Sequence, residues 1–304
     1  MPINPRNKGY LFALGASFAL ANSFVFSKAA LMEIQMVQFG VVWFGMGLVW
    51  NSIYIIYRKR KLSTIRGKGL WVNIVIAILE ALATGLFYIA IDKMENPAIV
   101  SFIGNIGPIF VTILGITLLK ERFNRIEIAG ILVALGGLFL INYNPSFTWE
   151  NMFLEGTVYV VLASFFFSIA AIIARKYNKY IEGSELSFVR VLLLFVSFVI
   201  LFLFSSSDLE ISSRALINMS IGSILETLIT IVLAYEAFKY IEATRNSLVL
   251  STRSLFVLLS AYLYFHIFPD TYQVIGGMLT IVGVVAITMG KMLMKKKGAK
   301  KVLH

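Results

Sequence analysis

The chain has 304 residues, of which 59% are hydrophobic and 14% are charged, and its formal net charge is +11. Its mean hydropathy of +0.83 lies well outside the range of soluble globular domains, so the composition indicates an integral membrane protein. The chain contains no cysteine, which excludes a disulfide framework and a thiolate metal site. The basic residues lie in short connections beside apolar segments, so their excess does not indicate nucleic-acid binding.

Ten segments are long and apolar enough to cross a hydrocarbon layer of about 30 Å, which takes about 20 helical residues. Six of them contain no charged residue, and the third, seventh, eighth and ninth contain one or two each. The predicted spans are Gly9–Ser27, Ile34–Tyr57, Gly69–Ile91, Asn96–Leu119, Ile128–Trp149, Gly156–Ala174, Leu186–Ser207, Ala215–Phe238, Asn246–Pro269 and Thr271–Gly290. The sequence therefore predicts an all-α integral membrane protein with ten transmembrane helices.

A proline interrupts the fourth span. Pro108, after Gly107, removes a backbone hydrogen bond and weakens the helix at its middle. Membrane helices tolerate such a break mainly where the freed backbone groups meet protein or a cavity. The break is therefore a first indication of a site.

The two halves of the chain resemble each other at an offset of 147 residues. The offset pairs Gly130 with Gly277 and Tyr88 with Tyr235. It also pairs Gly136 with Gly283, and Ala16, Ser17 and Phe18 with Ala163, Ser164 and Phe165. This predicts a duplication, with a first five-helix repeat in residues 1–149 and a second in 150–304, ending in a basic tail. Because five is odd, the second repeat enters the membrane from the opposite side, so the repeats are inverted.

The basic residues of the connections test this topology independently. Of the 27 lysines and arginines, 22 lie on the side of the membrane that includes both termini. The other side has three, which are Lys28, Lys93 and Arg214. Since basic residues concentrate in cytoplasmic loops, both termini are expected in the cytoplasm. The expected location is the plasma membrane, or inner membrane of a bacterium, and the expected partners include membrane lipid.

The sequence offers little for catalysis or for a metal. Its two histidines are His266, near a helix end, and His304, at the terminus. No HExxH motif is present, and no span shows a convincing Ser/His or paired-Asp arrangement. The sequence therefore predicts that the protein is not an enzyme and uses no cofactor or metal.

Ionisable residues deep in the membrane are the best candidates for function, because each is costly there unless it is paired or hydrated. Glu80 and Glu226 lie near the centres of the third and eighth spans, and Arg253 lies well inside the ninth. Arg190 and Glu236 lie closer to the cytoplasmic boundary, where Arg190 can snorkel, so they are interpreted as structural. Glu80, Glu226 and Arg253 therefore form the predicted site, against the alternative of structural ion pairing.

Small and polar residues accompany these charges on single helix faces. Thr84 and Tyr88 follow Glu80 at steps of four residues, and Thr230 follows Glu226 in the same way. Ser101 and Asn105 share a face of the fourth span. Such stripes are predicted to line a polar pathway, so these residues join the substrate-binding candidates. Hydrogen bonding between helices is the alternative explanation.

Arg253 is predicted to face a central cavity and to bind an anionic group of the substrate. The position 147 residues earlier is Ile106, so the repeat itself does not require an arginine there. Glu226 is the expected countercharge in the empty protein, with Glu80 as the alternative across the two-fold axis. Glu80 is also the expected protonation site if transport is coupled to protons.

The fifth and tenth spans carry small residues at heptad spacing. These residues are Ala129 and Gly136 in one span, and Gly276, Gly283 and Gly290 in the other. Small residues allow helix backbones to approach closely, so the two spans are expected to form a scaffold or a homodimer interface.

These features together resemble the EamA-type members of the drug/metabolite transporter superfamily. The resemblance covers nearly the whole chain and includes Pro108, the Leu119–Arg122 turn before a glycine-rich span, Gln273, and Arg190 in the seventh span. Trp43 departs from the pattern, since an arginine matching Arg190 is common there. The resemblance implies a carrier that works by alternating access. It also implies a central cavity formed by spans one, three, four, six, eight and nine.

The expected function is secondary transport of a small metabolite, an amino acid or a derivative, in the export direction. A zwitterion suits one deep arginine and two deep glutamates, because its carboxylate and its ammonium group each find a partner. The alternatives are an organic-cation or drug carrier that uses the glutamates alone, and a non-transporting membrane sensor or assembly partner. Nucleic acid is not expected as a partner.

Overall fold

The computed structural model describes residues 5–58, 68–107, 109–111, 113–114, 124–141, 155–177, 183–205, 208, 210–238, 240, 249–250 and 252–302. Within these residues the secondary structure is helical. In the first half the helices are α1 (Pro5–Leu31), α2 (Met36–Tyr57), α3 (Lys68–Lys93), α4 (Pro97–Gly104) and α5 (Arg125–Ile141). In the second half they are α6 (Thr157–Lys176), α7 (Gly183–Leu203), α8 (Ser213–Ile224, Leu225–Thr230 and Ile231–Phe238), α9 (Arg253–Phe265) and α10 (Thr271–Val302).

Six of these helices are long and apolar enough to cross a membrane, and α4, α9 and α10 contribute shorter apolar segments within the described residues. Phe39, Trp43, Phe44, Tyr88 and Phe102 are buried in the largest core cluster. The prediction of an all-α membrane protein with ten helices is confirmed. The proposed boundary between residues 149 and 150 lies outside the described residues and stays a prediction.

The helix of the fourth span is interrupted just before the proline. α4 ends at Gly104, and the N–H groups of Asn105 and Ile106 donate to carbonyls three residues earlier, in a tighter turn. Gly107 and residues 109–111 and 113–114 are helical again. A proline has no N–H to donate to the carbonyl four residues earlier, and its ring clashes with that carbonyl. Gly104 is four residues before Pro108, which accounts for the end of α4 at this point. Pro108 itself and Thr112 lie outside the described residues.

The start of the fifth helix differs from the prediction. The predicted span begins at Ile128, but α5 begins at Arg125. The N–H of Asn124 donates to Glu127 and the N–H of Glu127 donates to the Asn124 side chain, both at 2.9 Å. This reciprocal cap satisfies donors at the helix start and lets Glu127 lie buried, at 1% exposure. The helix therefore begins before Glu127, and the charge of Glu127 lies inside it.

Helix contacts between the halves follow the inverted repeat. α1 of the first half packs against α8 and α9, and α6 of the second half packs against α3 and α4 in the corresponding way. α2 packs against α7, and α5 against α10, each against its own repeat counterpart. This is the pattern that a two-fold axis between the repeats produces.

The interface between α5 and α10 depends on glycines. A Cβ at Gly130 would lie 2.7 Å from the Gly283 carbonyl oxygen, and a Cβ at Gly137 2.5 Å from that of Gly276. The reciprocal distances from Gly276 and Gly283 are both 2.6 Å. The predicted close packing of these helices is confirmed within one chain. The first-half side of the interface, however, is formed by Gly130 and Gly137, and not by Gly136.

Ala129 and Gly136 are exposed on the outer face of α5, and a Cβ at Gly136 meets nothing within 4 Å. A homodimer through α5 and α10 stays a prediction, and it would use this outer face.

The same interface corrects the repeat offset in the last helix of each half. Gly130 contacts Gly283 and Gly137 contacts Gly276, so the repeats exchange under an offset of 146 residues. The pairing of Gly130 with Gly277 is therefore wrong by one residue, and Gly130 corresponds to Gly276.

A similar change of offset occurs along α3 and α8. An offset of 146 pairs Glu80 with Glu226 and Thr84 with Thr230, whereas 147 pairs Tyr88 with Tyr235. The π-helical turn Leu225–Thr230 lies at this change. A π turn accommodates one more residue than an α turn, so it absorbs the extra residue of the second repeat. Glu80 and Glu226 consequently occupy the same position in the two repeats.

Candidate functional site

Glu226, in the π-helical turn of α8, has partners from three other helices. Its carboxylate accepts a hydrogen bond from Nε1 of Trp43 in α2 at 2.8 Å and another from the hydroxyl of Tyr88 in α3. Nη2 of Arg190 in α7 lies 3.6 Å from Glu226 Oε1, and the two side chains are 14% and 11% exposed. A carboxylate inside a protein is stable only when it is paired and hydrogen-bonded, and these three donors meet that need.

Arg190 is a site residue that the sequence interpretation missed. Arg190 does not snorkel to the surface, because its guanidinium approaches Glu226 within the bundle. Its interpretation as a structural residue stays a prediction. The sequence contained a signal for this role, since the offset of 147 places Arg190 on Trp43. Both residues contact Glu226, so the two repeats supply different donors from equivalent positions.

Aromatic rings hold the donors of Glu226 in place. The Tyr88 ring lies 5.0 Å from the Phe39 ring, 5.7 Å from the Trp43 ring and 6.0 Å from the Phe44 ring, measured between centroids. Tyr88 is buried, and Trp43 is fully so. Such packing fixes the directions of the hydroxyl and the indole N–H without further polar contacts.

Glu80 lies at the repeat-equivalent position in α3 and has a different environment. Its side chain is half-buried and accepts no hydrogen bond from the described residues. Its helix, α3, packs against α7, which carries Arg190. Thr84, one turn along the same face, is buried, and its hydroxyl has no hydrogen-bond partner among the described residues. This side of the two-fold axis therefore offers a carboxylate and a hydroxyl whose polar atoms are not engaged by described side chains.

Arg253 begins α9 and also has polar atoms without a partner. Its guanidinium carbon lies 5.3 Å from the centroid of the Phe24 ring in α1. Its Nε is enclosed and has no hydrogen-bond partner, and no described carboxylate forms an ion pair with it. The predicted pairing of Arg253 with Glu226 is wrong, because Glu226 pairs with Arg190.

Ser101 and Asn105 belong to a hydrogen-bonded cluster between helices. The Ser101 hydroxyl lies 3.0 Å from that of Ser254, and Nδ2 of Asn105 donates to Ser254 at 3.1 Å and to Thr280 at 3.3 Å. All four residues are buried. These contacts join α4 to α9 and α10, and they favour the alternative explanation of helix-to-helix hydrogen bonding for Ser101 and Asn105.

Thr230 is the last residue of the π turn, and its hydroxyl donates to the Leu225 carbonyl, five residues earlier, at 2.7 Å. Glu236, interpreted as structural, has a side chain outside the described residues. In the described part of the chain, no group of three His, Cys, Asp or Glu residues could hold a metal ion.

Comparison with known proteins agrees with this architecture. Residues 7–143 and 154–289 each match the EamA-like transporter family. The comparison with curated proteins found no match. A solved structure described only as "Crystal structure of protein" is similar, with a TM-score of 0.65 at 15% identity over 95% of this chain and 99% of its own. That likeness shows the fold alone. Because the family matches both repeats, the chain belongs to the EamA-like transporter family, which indicates a membrane transporter of small solutes.

Proposed function

We propose that this transporter carries an amino acid, or a closely related zwitterion, out of the cytoplasm by alternating access. The observation that supports the substrate class is Arg253, a guanidinium inside the bundle without a described anionic partner. A cation in this position is costly unless an anion joins it, so a bound carboxylate would stabilise the site.

The chemistry of Arg253 favours a carboxylate in particular. A guanidinium presents a planar pair of N–H groups that matches the two oxygens of a carboxylate. The Phe24 ring beneath it supplies an apolar surface and orients the plane of the guanidinium. Gly104 in α4 has no side chain, and Nη2 of Arg253 lies 3.8 Å from where its Cβ would be. The guanidinium thus lies where α1, α4 and α9 meet.

Glu80 is the proposed partner of the substrate's ammonium group. At a rise of 1.5 Å per residue, Glu80 lies about 20 Å from Lys93 and Arg253 lies about 18 Å from Phe265. Lys93 and Phe265 end their helices on the side opposite the termini. Both are therefore near the middle of the bilayer, where alternating-access transporters bind their substrates. α1 packs against both α3 and α9, so one cavity beside α1 can reach both groups.

The proposed location is the plasma membrane, with both termini in the cytoplasm. The distribution of 22 basic residues on one side and three on the other supports this orientation. Protons are the proposed coupling ion, with Glu80 as their site.

Thermal stability of the purified protein with added solutes tests the substrate class. An amino acid that raises the Tm of the wild type is expected to lose about 30-fold or more in affinity for Arg253→Gln, from the loss of roughly 2 kcal/mol of charged contact. The amine made by removing its carboxylate should not stabilise the wild type. Arg214→Gln is the matched control, because that side chain is 77% exposed. Efflux of the same solute from preloaded vesicles tests the direction.

An organic-cation carrier is the second candidate function, and the carboxylate of Glu80 without a described donor favours it. In that case amines without a carboxylate would stabilise the wild type and Arg253→Gln equally. Binding of solutes without their transport would support the remaining alternative, a membrane sensor.

A further inference from the structure

Arg190 has two candidate carboxylate partners, Glu80 and Glu226, which occupy equivalent positions in the two repeats. Glu80 and Glu226 are related by the offset of 146 residues, as are Thr84 and Thr230 beside them. Arg190 is ion-paired with Glu226 at 3.6 Å. α7, which carries Arg190, packs against α3, the helix of Glu80, and contacts the segment Ile231–Phe238 of α8. Arg190 therefore lies on a helix that contacts the helices of both equivalent acids.

Glu80 and Glu226 have different polar partners in this structure. Glu226 accepts hydrogen bonds from Trp43 and Tyr88 and is ion-paired with Arg190, whereas Glu80 accepts from no described residue. Trp43 occupies the position that corresponds to Arg190 in the first repeat, so the chain has one arginine where full symmetry would place two. Nε of Arg190 is enclosed and has no hydrogen-bond partner. Arg190 thus has a donor left unused by Glu226.

We infer that Arg190 moves from Glu226 to Glu80 when the transporter changes the side to which its site opens. This inference rests on the proposed alternating access. When one repeat rocks against the other, inverted repeats exchange environments. The hydrogen bond from Trp43 to Glu226 is then replaced by its repeat counterpart, a contact from Arg190 to Glu80. The ion pair of Arg190 with Glu226 belongs to the described state. The ion pair with Glu80 belongs to the opposite state, and it displaces the ammonium group of the substrate from Glu80.

Contacts at the end of the bundle opposite the termini identify the described state. Nδ2 of Asn96 donates to the Ile267 carbonyl at 3.2 Å, which joins the first half to the second. Lys93 pairs with Glu155 across the same halves. These contacts hold this end closed in the described state, in which Glu226 is paired with Arg190. The opposite state must separate Asn96 from Ile267.

A distance measurement between the halves tests the exchange without a substrate. Spin labels on Glu95→Cys and Asp270→Cys, both exposed and next to the Asn96 contact, report the opening of this end in a chain that has no other cysteine. Glu226→Gln should favour the long distance, because Arg190 then pairs with Glu80. Glu80→Gln should favour the short distance. The ratio of long to short populations should differ about tenfold or more between these variants. Glu210→Gln, an exposed carboxyl, is the matched control.

The opposite direction of the two shifts is the deciding result, since a purely structural ion pair would not produce it. If the wild type shows both distances and the two variants shift them equally or in the same direction, the exchange is overturned while alternating access stands. If one distance is present in every variant, both the exchange and the proposed function are contradicted. Glu226→Asp withdraws the carboxylate by one methylene and must shift the populations in the same direction as Glu226→Gln. If Glu226→Gln does not fold, Glu226→Asp is used in its place.

Discussion

Arg190 and Glu226 form an ion pair inside the bundle, with Nη2 of the arginine 3.6 Å from Oε1 of the glutamate. Arg190→Gln leaves Glu226 without its charged partner, so it is expected to cost roughly 3–5 kcal/mol of stability. Glu226→Gln is expected to cost less, because Arg190 can then pair with Glu80. The double variant should recover part of this loss, with a coupling energy of about 0.5–3 kcal/mol. Unfolding of the four proteins in mild detergent measures the cycle.

Arg253 provides the contrasting cycle, because the structure gives it no ion pair with Glu226. The effects of Arg253→Gln and Glu226→Gln on stability should add within about 0.5 kcal/mol. A coupling as large as that of Arg190 with Glu226 would contradict the described geometry and restore the pairing that the sequence suggested.

The glycines between α5 and α10 give a prediction about packing. Gly137→Ala places a Cβ 2.5 Å from the Gly276 carbonyl oxygen, so the two backbones must separate. A loss of about 1–3 kcal/mol is expected, seen as a lower Tm. Gly136→Ala, one residue away on the open face, should be neutral or slightly stabilising, because alanine favours a helix more than glycine does. Equal effects of the two substitutions would show that this interface does not hold the helices together.

The π turn of α8 gives a prediction about register. Deleting Leu228 removes the extra residue and should convert Leu225–Thr230 to a regular α turn, at a cost of no more than about 2 kcal/mol. Deleting Leu82 from the α-helical counterpart in α3 rotates all later residues by about 100° and should abolish folding. The yield and Tm of monodisperse protein compare the two deletions. Similar damage from both would mean that the π turn does not carry a surplus residue.

Hydropathy predicts these helices well, because a span of about 20 apolar residues has few other stable states in a membrane. Errors occur where a local contact decides the boundary. The predicted fifth span begins after the charge of Glu127, but the reciprocal cap with Asn124 buries that charge within α5. In the same way, the offset of 147 residues is right for Tyr88 and Tyr235 but misses the equivalence of Glu80 and Glu226, because a π turn intervenes.

Depth in the membrane identifies the candidate residues, but their pairing depends on which helices are neighbours. Glu80, Glu226 and Arg253 are found from their positions alone. The sequence pairs Glu226 with Arg253 because both lie in adjacent spans of one repeat, whereas the bundle places Arg190 of α7 beside Glu226. Polar stripes alone do not separate Ser101 and Asn105, which bond to α9 and α10, from Thr84, whose hydroxyl has no described partner.

Single-cysteine labelling tests the topology, since the chain has no cysteine of its own. Cysteines at Ser63 and Gly298 should react only from the cytoplasmic side, and those at Asn151 and Ser213 only from outside. Complete accessibility at one side and protection at the other are expected for each position. Reaction of Ser63→Cys from outside would contradict both the inverted repeat and the cytoplasmic termini.

The last prediction concerns Glu80 as a proton site. Its carboxylate has no described donor, whereas Glu226 is held by Trp43, Tyr88 and Arg190. A carboxylate without fixed donors can bind and release a proton at little structural cost, so Glu80→Gln should fold normally. If transport is coupled to protons, its rate should vary at least several-fold with pH in the wild type, and this variation should disappear in Glu80→Gln. Glu210→Gln, which removes an exposed charge, should keep the wild-type profile. Transport by Glu80→Gln with an unchanged pH profile would show that another group carries the proton.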